Sequence, residues 1–113
     1  MTQSEMRKSG DWMTIWDDRI LEYLLEHGWG SPETIHWEIG RETTLHQIRE
    51  RCRVLCHAGL ASPFIDERSA DMFEITVWGQ LYLEGKVNAG LIRPVPRPRP
   101  PERVRPSWWA GIG

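Results

Sequence analysis

The stretch from Thr44 to Gly59, TLHQIRERCRVLCHAG, constrains the fold most because it combines helical periodicity with two unlike faces. Its apolar residues recur at steps of three, four and three, as they do on a helix that packs against a core. They are Leu45, Ile48, Cys52 and Leu55. Thr44 with Gln47 is a capping-box pattern, and Gly59 suits a left-handed residue after the last turn. The sequence therefore predicts one amphipathic helix with a polar face directed away from the core.

Two shorter patterns predict helices before this one. Thr14 with Asp17 resembles a capping box, so a helix is expected from Ile15 to about His27. Ser31-Pro32 suits an N-cap followed by proline at the first helical position, and Gly40 ends that second helix. The next helix begins about four residues later, which is the spacing of a helix-turn-helix. In such motifs the second helix lies in the DNA major groove.

After Gly59 the period of the pattern changes from helical to β. The segments Leu60–Ile65 and Met72–Ile75 are predicted as two strands around a polar turn, Asp66–Asp71. A hairpin directly after the helix of a helix-turn-helix is the wing of a winged helix. A last helix is expected from Val77 to about Ala89, with Trp78 facing the core. Gly79 and Gly85 should weaken it by about 1 kcal/mol each relative to Ala, with close packing against a neighbour as the alternative. The predicted fold is α+β: a winged helix-turn-helix with a three-helix core, a two-stranded wing and an additional C-terminal helix.

Charge is unevenly distributed although the net charge is only -2. Residues 1–92 hold nine Lys+Arg against fifteen Asp+Glu, whereas residues 93–113 hold five Arg against one Glu. Within the acidic part, the segment Arg41–His57 holds four Arg against two Glu. Local basic charge is what phosphate contact requires, whatever the net charge. The polar face of the long helix is therefore a candidate DNA-binding surface, with a solvated helix face as the alternative.

The candidate DNA contacts divide by position on that helix. Its first turn is expected to reach base edges, and Gln47 can pair bidentately with adenine. The arginines are expected to hold phosphates, except Arg51, which lies at the boundary and has an internal ion pair as its alternative. At the turn of the hairpin, Arg68 is a further candidate for phosphate or minor-groove contact. The predicted DNA-binding residues are Arg41, Thr43, Thr44, His46, Gln47, Arg49, Glu50, Arg53 and Arg68.

Three parts are predicted along the chain: a flexible lead over residues 1–12, the winged helix over 13–92 and an Arg/Pro-rich tail over 93–113. The tail sequence RPVPRPRPPERVRP favours extended polyproline II without a core. Its Arg97–Pro100 run resembles minor-groove AT-hook arms, with a PxxP-type ligand for a protein partner as the rival and a solvated, disordered tail as the favoured interpretation. The adjacent Trp108 and Trp109 are expected to pack, either on this chain or on a partner.

Catalytic and metal-binding patterns are missing from the sequence. It has no Gly-rich phosphate loop and no nucleophile elbow, so no enzyme activity and no cofactor are expected. Cys52 and Cys56 lie four residues apart, but no second cysteine pair completes a tetrahedral metal site. Both are predicted as packing residues, with a redox-sensing thiol as the alternative for Cys56. Without a long apolar run or a signal-like N-terminus, we expect a cytoplasmic, nucleoid-associated protein.

Several of these segments together resemble the haloarchaeal winged-helix repressors of the phage phiH type. The similarity covers about residues 13–92 and is carried by Trp16–Glu22, Ser31-Pro32, Arg51–Arg53 with Leu55, Gly59-Leu60, Ile75-Thr76, Gly79 and Tyr82–Gly85. The resemblance implies a dimer-capable, DNA-binding transcriptional regulator. The predicted function is sequence-specific binding of double-stranded DNA, as a homodimer that represses by occupying its operator. The alternative is a winged helix that serves as a protein-interaction module and docks through the tail.

Overall fold

The computed structural model describes residues 6–65 and 71–94. In chain order the elements are α1 (Ile15–His27), α2 (Pro32–Ile39), α3 (Leu45–His57), β1 (Ala61–Ile65), β2 (Asp71–Ile75), α4 (Val77–Leu83) and a 3-10 turn over Ala89–Leu91. This order confirms the predicted winged helix-turn-helix with its additional C-terminal helix. Within the described residues, none of the helices is both long and apolar enough to span a membrane.

Local capping explains where the first three helices begin. Thr14 and Asp17 form a reciprocal capping box at α1, as predicted. Ser31 forms one with Thr34 at α2, where the sequence indicated only the serine and the following proline. At α3 the Thr44 hydroxyl accepts a hydrogen bond from the Gln47 N–H at 3.0 Å. These caps satisfy amide groups that the first helical turn leaves without a partner.

One apolar core joins the helices to the hairpin. Every element of the motif contributes a buried side chain, and α3 supplies three from the predicted stripe. The main members are Ile20, Leu21, Leu24, Ile35, Ile48, Cys52, Leu55, Leu60, Phe73 and Tyr82. Leu45, the first residue of the predicted stripe and of α3, is only half-buried.

The hairpin is attached to the helices through Gly30 and Phe73. Strands β1 and β2 pair antiparallel, with Ala61 opposite Ile75 and Ile65 opposite Asp71. Gly30, between α1 and α2, exchanges two backbone hydrogen bonds with Phe73 at 2.9 and 2.8 Å. Gly30 thus pairs with β2 as a one-residue β-bridge. This bridge fixes the wing relative to the helix-turn-helix. The turn of the wing, with Arg68, lies outside the described residues.

The last helix differs from its prediction in length and orientation. It ends at Leu83 because Gly85 adopts a φ of +81° and the chain turns there, so the expected continuation to Ala89 is wrong. Trp78 is 60% exposed, so the prediction that it faces the core is also wrong. The buried position is Gly79, where a Cβ atom would lie 2.2 Å from the Leu60 carbonyl oxygen. Of the two roles considered for this glycine, close packing is therefore present.

The N-terminal segment packs on the C-terminal part of the domain. Lys8 pairs with Asn88 in a parallel bridge and donates through Nζ to the Gly85 carbonyl at 3.0 Å. Ser9 and the buried Tyr82 hydroxyl lie 2.8 Å apart, and Tyr82 also donates to Asp18 at 2.7 Å. Residues 7–12 of the predicted flexible lead are thus anchored, while residues 1–5 and the tail from residue 95 lie outside the described residues.

Candidate nucleic-acid interface

The two faces of α3 differ in burial, as the sequence pattern predicts. We define the inner face as Ile48, Cys52 and Leu55, which are at most 1% exposed. We define the outer face as His46, Gln47, Arg49, Glu50 and Arg53, of which only Arg49 is half-buried and the rest are exposed. A helix held by one side presents the other at a fixed angle, which recognition of a groove requires.

Arg51 belongs to neither face, because it turns toward the start of α1. Its guanidinium donates to both carboxylate oxygens of Asp17, at 2.8 and 2.6 Å, and to the Trp12 carbonyl at 2.9 Å. The Asp17 side chain is fully buried, and its hydrogen bonds raise the pKa of the Arg51 guanidinium. The internal ion pair considered for Arg51 is therefore present. Asp17 serves both as the capping residue of α1 and as the partner of α3.

Arg49 and Arg53 of the outer face have weaker acidic partners. Arg49 lies 2.9 Å from Glu33 of α2, and the Glu33 side chain is 60% exposed. Arg53 lies 3.9 Å from Glu50 on its own helix, with both side chains more than half exposed. Surface pairs of this kind contribute little, on the order of 0–1 kcal/mol, so either arginine can exchange its carboxylate for another anion.

The turn between α2 and α3 is fixed by hydrogen bonds. The Thr43 N–H donates to the Gly40 carbonyl at 3.0 Å, and the Thr43 carbonyl accepts from His36 Nε2 at 2.9 Å. Arg41 lies within this turn and stacks over the exposed Trp37 ring, with Cζ at 4.3 Å from its centre. The sequence identified Arg41 as a candidate but gave no reason to connect it with Trp37.

The first turn of α3 presents its candidate base-contacting residues unequally. His46 and Gln47 are exposed, whereas Thr43 is half-buried. The Thr44 hydroxyl already accepts a backbone hydrogen bond as the helix cap. His46 and Gln47 thus have the most accessible polar groups at this end of α3.

A groove of about 880 Å³ separates the C-terminal half of α3 from the wing. Its walls include Arg53, Cys56 and His57 from the helix and Phe64, Met72 and Phe73 from the strands. The sequence pattern did not reveal His57 as part of this surface, since only the placement of the hairpin brings it opposite β1 and β2. Arg53 therefore lies where the outer face of α3 meets the wing.

The Cys52 side chain is buried in the core, and the Cys56 side chain is half-buried against it. Burial raises the pKa of Cys52 from 9.0 to about 12 and that of Cys56 to about 11. Reactive thiols have a lowered pKa, so this environment does not favour the redox alternative for Cys56. Among the described residues, no three His, Cys, Asp or Glu side chains form a group that could hold a metal ion.

The chain is similar to a solved structure, although it matches no family model. No protein-family model and no curated protein matches the chain. Among solved structures, the chain is similar to the crystal structure of the PhiH1 repressor-like protein from Haloarcula marismortui, with 36% sequence identity and a TM-score of 0.70. The match covers 81% of this chain and 100% of that chain. The chain therefore belongs to the family of PhiH1 repressor-like winged-helix proteins.

Proposed function

We propose that this protein is a transcriptional regulator that binds double-stranded DNA through the outer face of α3. The observation that carries the proposal is the exposure of His46, Gln47, Glu50 and Arg53 on a helix whose other side is buried in the core. The similarity to a protein named repressor-like supports the same conclusion. Arg49 and Arg53 neutralise phosphates, while His46 and Gln47 contact base edges.

The proposed mechanism is steric repression: the occupied operator excludes polymerase. We further propose a homodimer. One helix-turn-helix contacts only a short half-site, and a two-fold symmetric dimer doubles the length of DNA that is recognised. Large apolar side chains remain exposed outside α3, with Ile15 at 64%, Val77 at 68% and Trp78 at 60% exposure. Such side chains can be covered by a second subunit.

Selection from a pool of random-sequence duplexes tests the proposal. The wild-type protein should enrich a defined motif, and the spacing of paired half-sites should be about one helical turn of DNA or a multiple of it. Replacing Gln47 with Ala should relax the preference at one base position, whereas replacing Arg53 with Ala should weaken binding to all sequences alike. A pool that remains random after selection would contradict sequence-specific binding.

A further inference from the structure

The geometry of the α2–α3 turn points to Trp37 as a positioning residue: we propose that its ring holds the Arg41 guanidinium for contact with a DNA phosphate. This inference rests on the proposed function and names one contact within it. Trp37 is 64% exposed, although it is among the largest apolar side chains of the domain. Arg41 Cζ lies over its ring at 4.3 Å, within the range of a cation–π contact.

The backbone on both sides of this contact is fixed. His36, directly before Trp37, donates through Nε2 to the Thr43 carbonyl at 2.9 Å. The Thr43 N–H donates back to Gly40 at 3.0 Å, which closes the turn around Arg41. The end of α2 therefore provides two consecutive side chains with related roles: His36 fixes the backbone of the turn, and Trp37 supports the arginine within it.

The position of the turn determines which part of DNA Arg41 can meet. Arg41 lies three residues before Thr44, the N-cap of α3. When the N-terminal end of a recognition helix enters the major groove, the preceding turn lies at the groove edge, where the phosphates run. An arginine supported on an aromatic face loses less conformational freedom on binding than one extended into solvent, and its N–H groups stay directed outward.

Single exposed apolar side chains are normal on a protein surface, so the exposure of Trp37 does not by itself indicate a ligand. Trp37 is distinguished by the charged side chain over its ring, because a surface cation–π contact favours one orientation of the guanidinium by roughly two- to five-fold. The chain contains a second arginine–tryptophan stack for comparison, Arg19 over Trp16 at 5.1 Å, which lies on α1 outside the helix-turn-helix.

A double-mutant cycle on a mixed-sequence duplex tests the inference, because phosphate contacts do not depend on sequence. The proteins are wild type, Trp37→Ala, Arg41→Ala and the double variant. Arg41→Ala should reduce the magnitude of the negative slope of log K against log salt concentration by about one. Trp37→Ala should weaken binding by roughly two- to five-fold when Arg41 is present and should have no effect when Arg41 is absent.

Matched variants distinguish a positioning role of Trp37 from an effect on protein stability and from the loss of a positive charge. Trp37→Phe keeps an aromatic face and should restore most of the affinity. Arg19→Ala removes the same charge from the other stack and should leave the salt slope unchanged. Because Trp37 is exposed, the melting temperature of Trp37→Ala should equal that of wild type.

Two results would overturn the inference. One is an equal effect of Trp37→Ala in both backgrounds, which would mean that Trp37 acts without Arg41. The other is an unchanged salt slope for Arg41→Ala. If wild type binds duplex and Arg53→Ala weakens that binding, these results reject the proposed contact of Trp37 and Arg41 with a phosphate and leave the proposed function standing. A wild-type protein that does not bind duplex rejects the proposed function, and this inference with it.

Discussion

Arg49 and Arg51 lie two residues apart on α3, yet they occupy opposite environments. The Arg51 side chain is 17% exposed and pairs with a fully buried Asp17. The Arg49 side chain is 32% exposed and pairs with Glu33, which is 60% exposed. In the first pair the Asp17 carboxylate has been removed from water, and the pair holds α3 to α1. In the second pair Glu33 remains in water, so Arg49 can exchange it for another anion. One side of α3 therefore stabilises the fold, and the other is available to bind a partner.

The energetic consequence follows from desolvation. Removing one partner from a buried ion pair leaves an uncompensated charge, which costs far more than the pair itself contributes. Removing one partner from an exposed pair leaves a hydrated charge at little cost. The inner contacts of α3 should therefore control stability, and its outer face should control binding.

The largest expected effect is on stability when Arg51 is replaced by Ala. Asp17 then stays buried without its guanidinium, and the free energy of unfolding should fall by about 3–5 kcal/mol. Arg49→Ala is the matched control on the same helix and should cost less than about 1 kcal/mol. Urea unfolding of both variants measures the difference. Equal losses of unfolding free energy in the two variants would show that the buried and the exposed ion pair contribute alike to stability.

The cysteines should make stability depend on alkaline pH, and the change in unfolding free energy per pH unit should be smaller than the loss expected for Arg51→Ala. Burial raises the pKa of Cys52 to about 12 and that of Cys56 to about 11, against 9.0 ordinarily. Above pH 9 the unfolded chain releases these protons and the folded chain retains them, so stability falls as pH rises toward 11 and is unaffected below 9. Each thiol contributes on the order of 1 kcal/mol per pH unit in this window.

The double variant Cys52→Ala/Cys56→Ala isolates this contribution from other groups that titrate at high pH. Its unfolding free energy should decline less steeply than that of wild type between pH 9 and 11. Parallel curves for the two proteins would mean that the thiols are as accessible in the folded state as in the unfolded one, contrary to their place in the core.

Thr44 precedes both faces as the N-cap of α3, and the smallest effect is expected there. Its hydroxyl accepts the Gln47 N–H as the cap of α3, so Thr44→Ala should reduce the unfolding free energy by about 1 kcal/mol. Thr43→Ala, one residue earlier and without the capping position, serves as the control and should cost less. Thermal unfolding compares them, and a larger loss from Thr43→Ala would be incompatible with the cap.

Most of the fold could be predicted because its boundaries depend on local chemistry. Thr14, Ser31 and Thr44 cap the three helices, and Gly59 adopts the predicted left-handed conformation with φ of +83°. The end of α4 was predicted wrongly because a glycine within a helical pattern can either weaken the helix or end it. Gly85 indicated a weakened helix in the sequence, whereas it adopts a positive φ and ends the helix.

Side-chain environments that depend on distant residues were harder to predict. Trp78 and Gly79 are neighbours, and helical periodicity alone did not show that the glycine would be buried against Leu60 and the tryptophan exposed. Arg51 could be assigned to DNA or to an ion pair, and only the approach of α1 to α3 decided between them. The stack of Arg41 on Trp37 depends in the same way on the conformation of the turn between α2 and α3.

The salt dependence of duplex binding tests the central claim most directly, namely that the outer face of α3 binds DNA. The slope of log K against log salt concentration is negative for wild type, and in the variant Arg49→Ala/Arg53→Ala its magnitude should fall by about two. The charge-matched variant Arg19→Ala/Lys86→Ala, with both positions outside α3, should leave that slope unchanged. Equal slopes for the two double variants would contradict the claim, because the charge of the whole protein would then matter and the face of α3 would not.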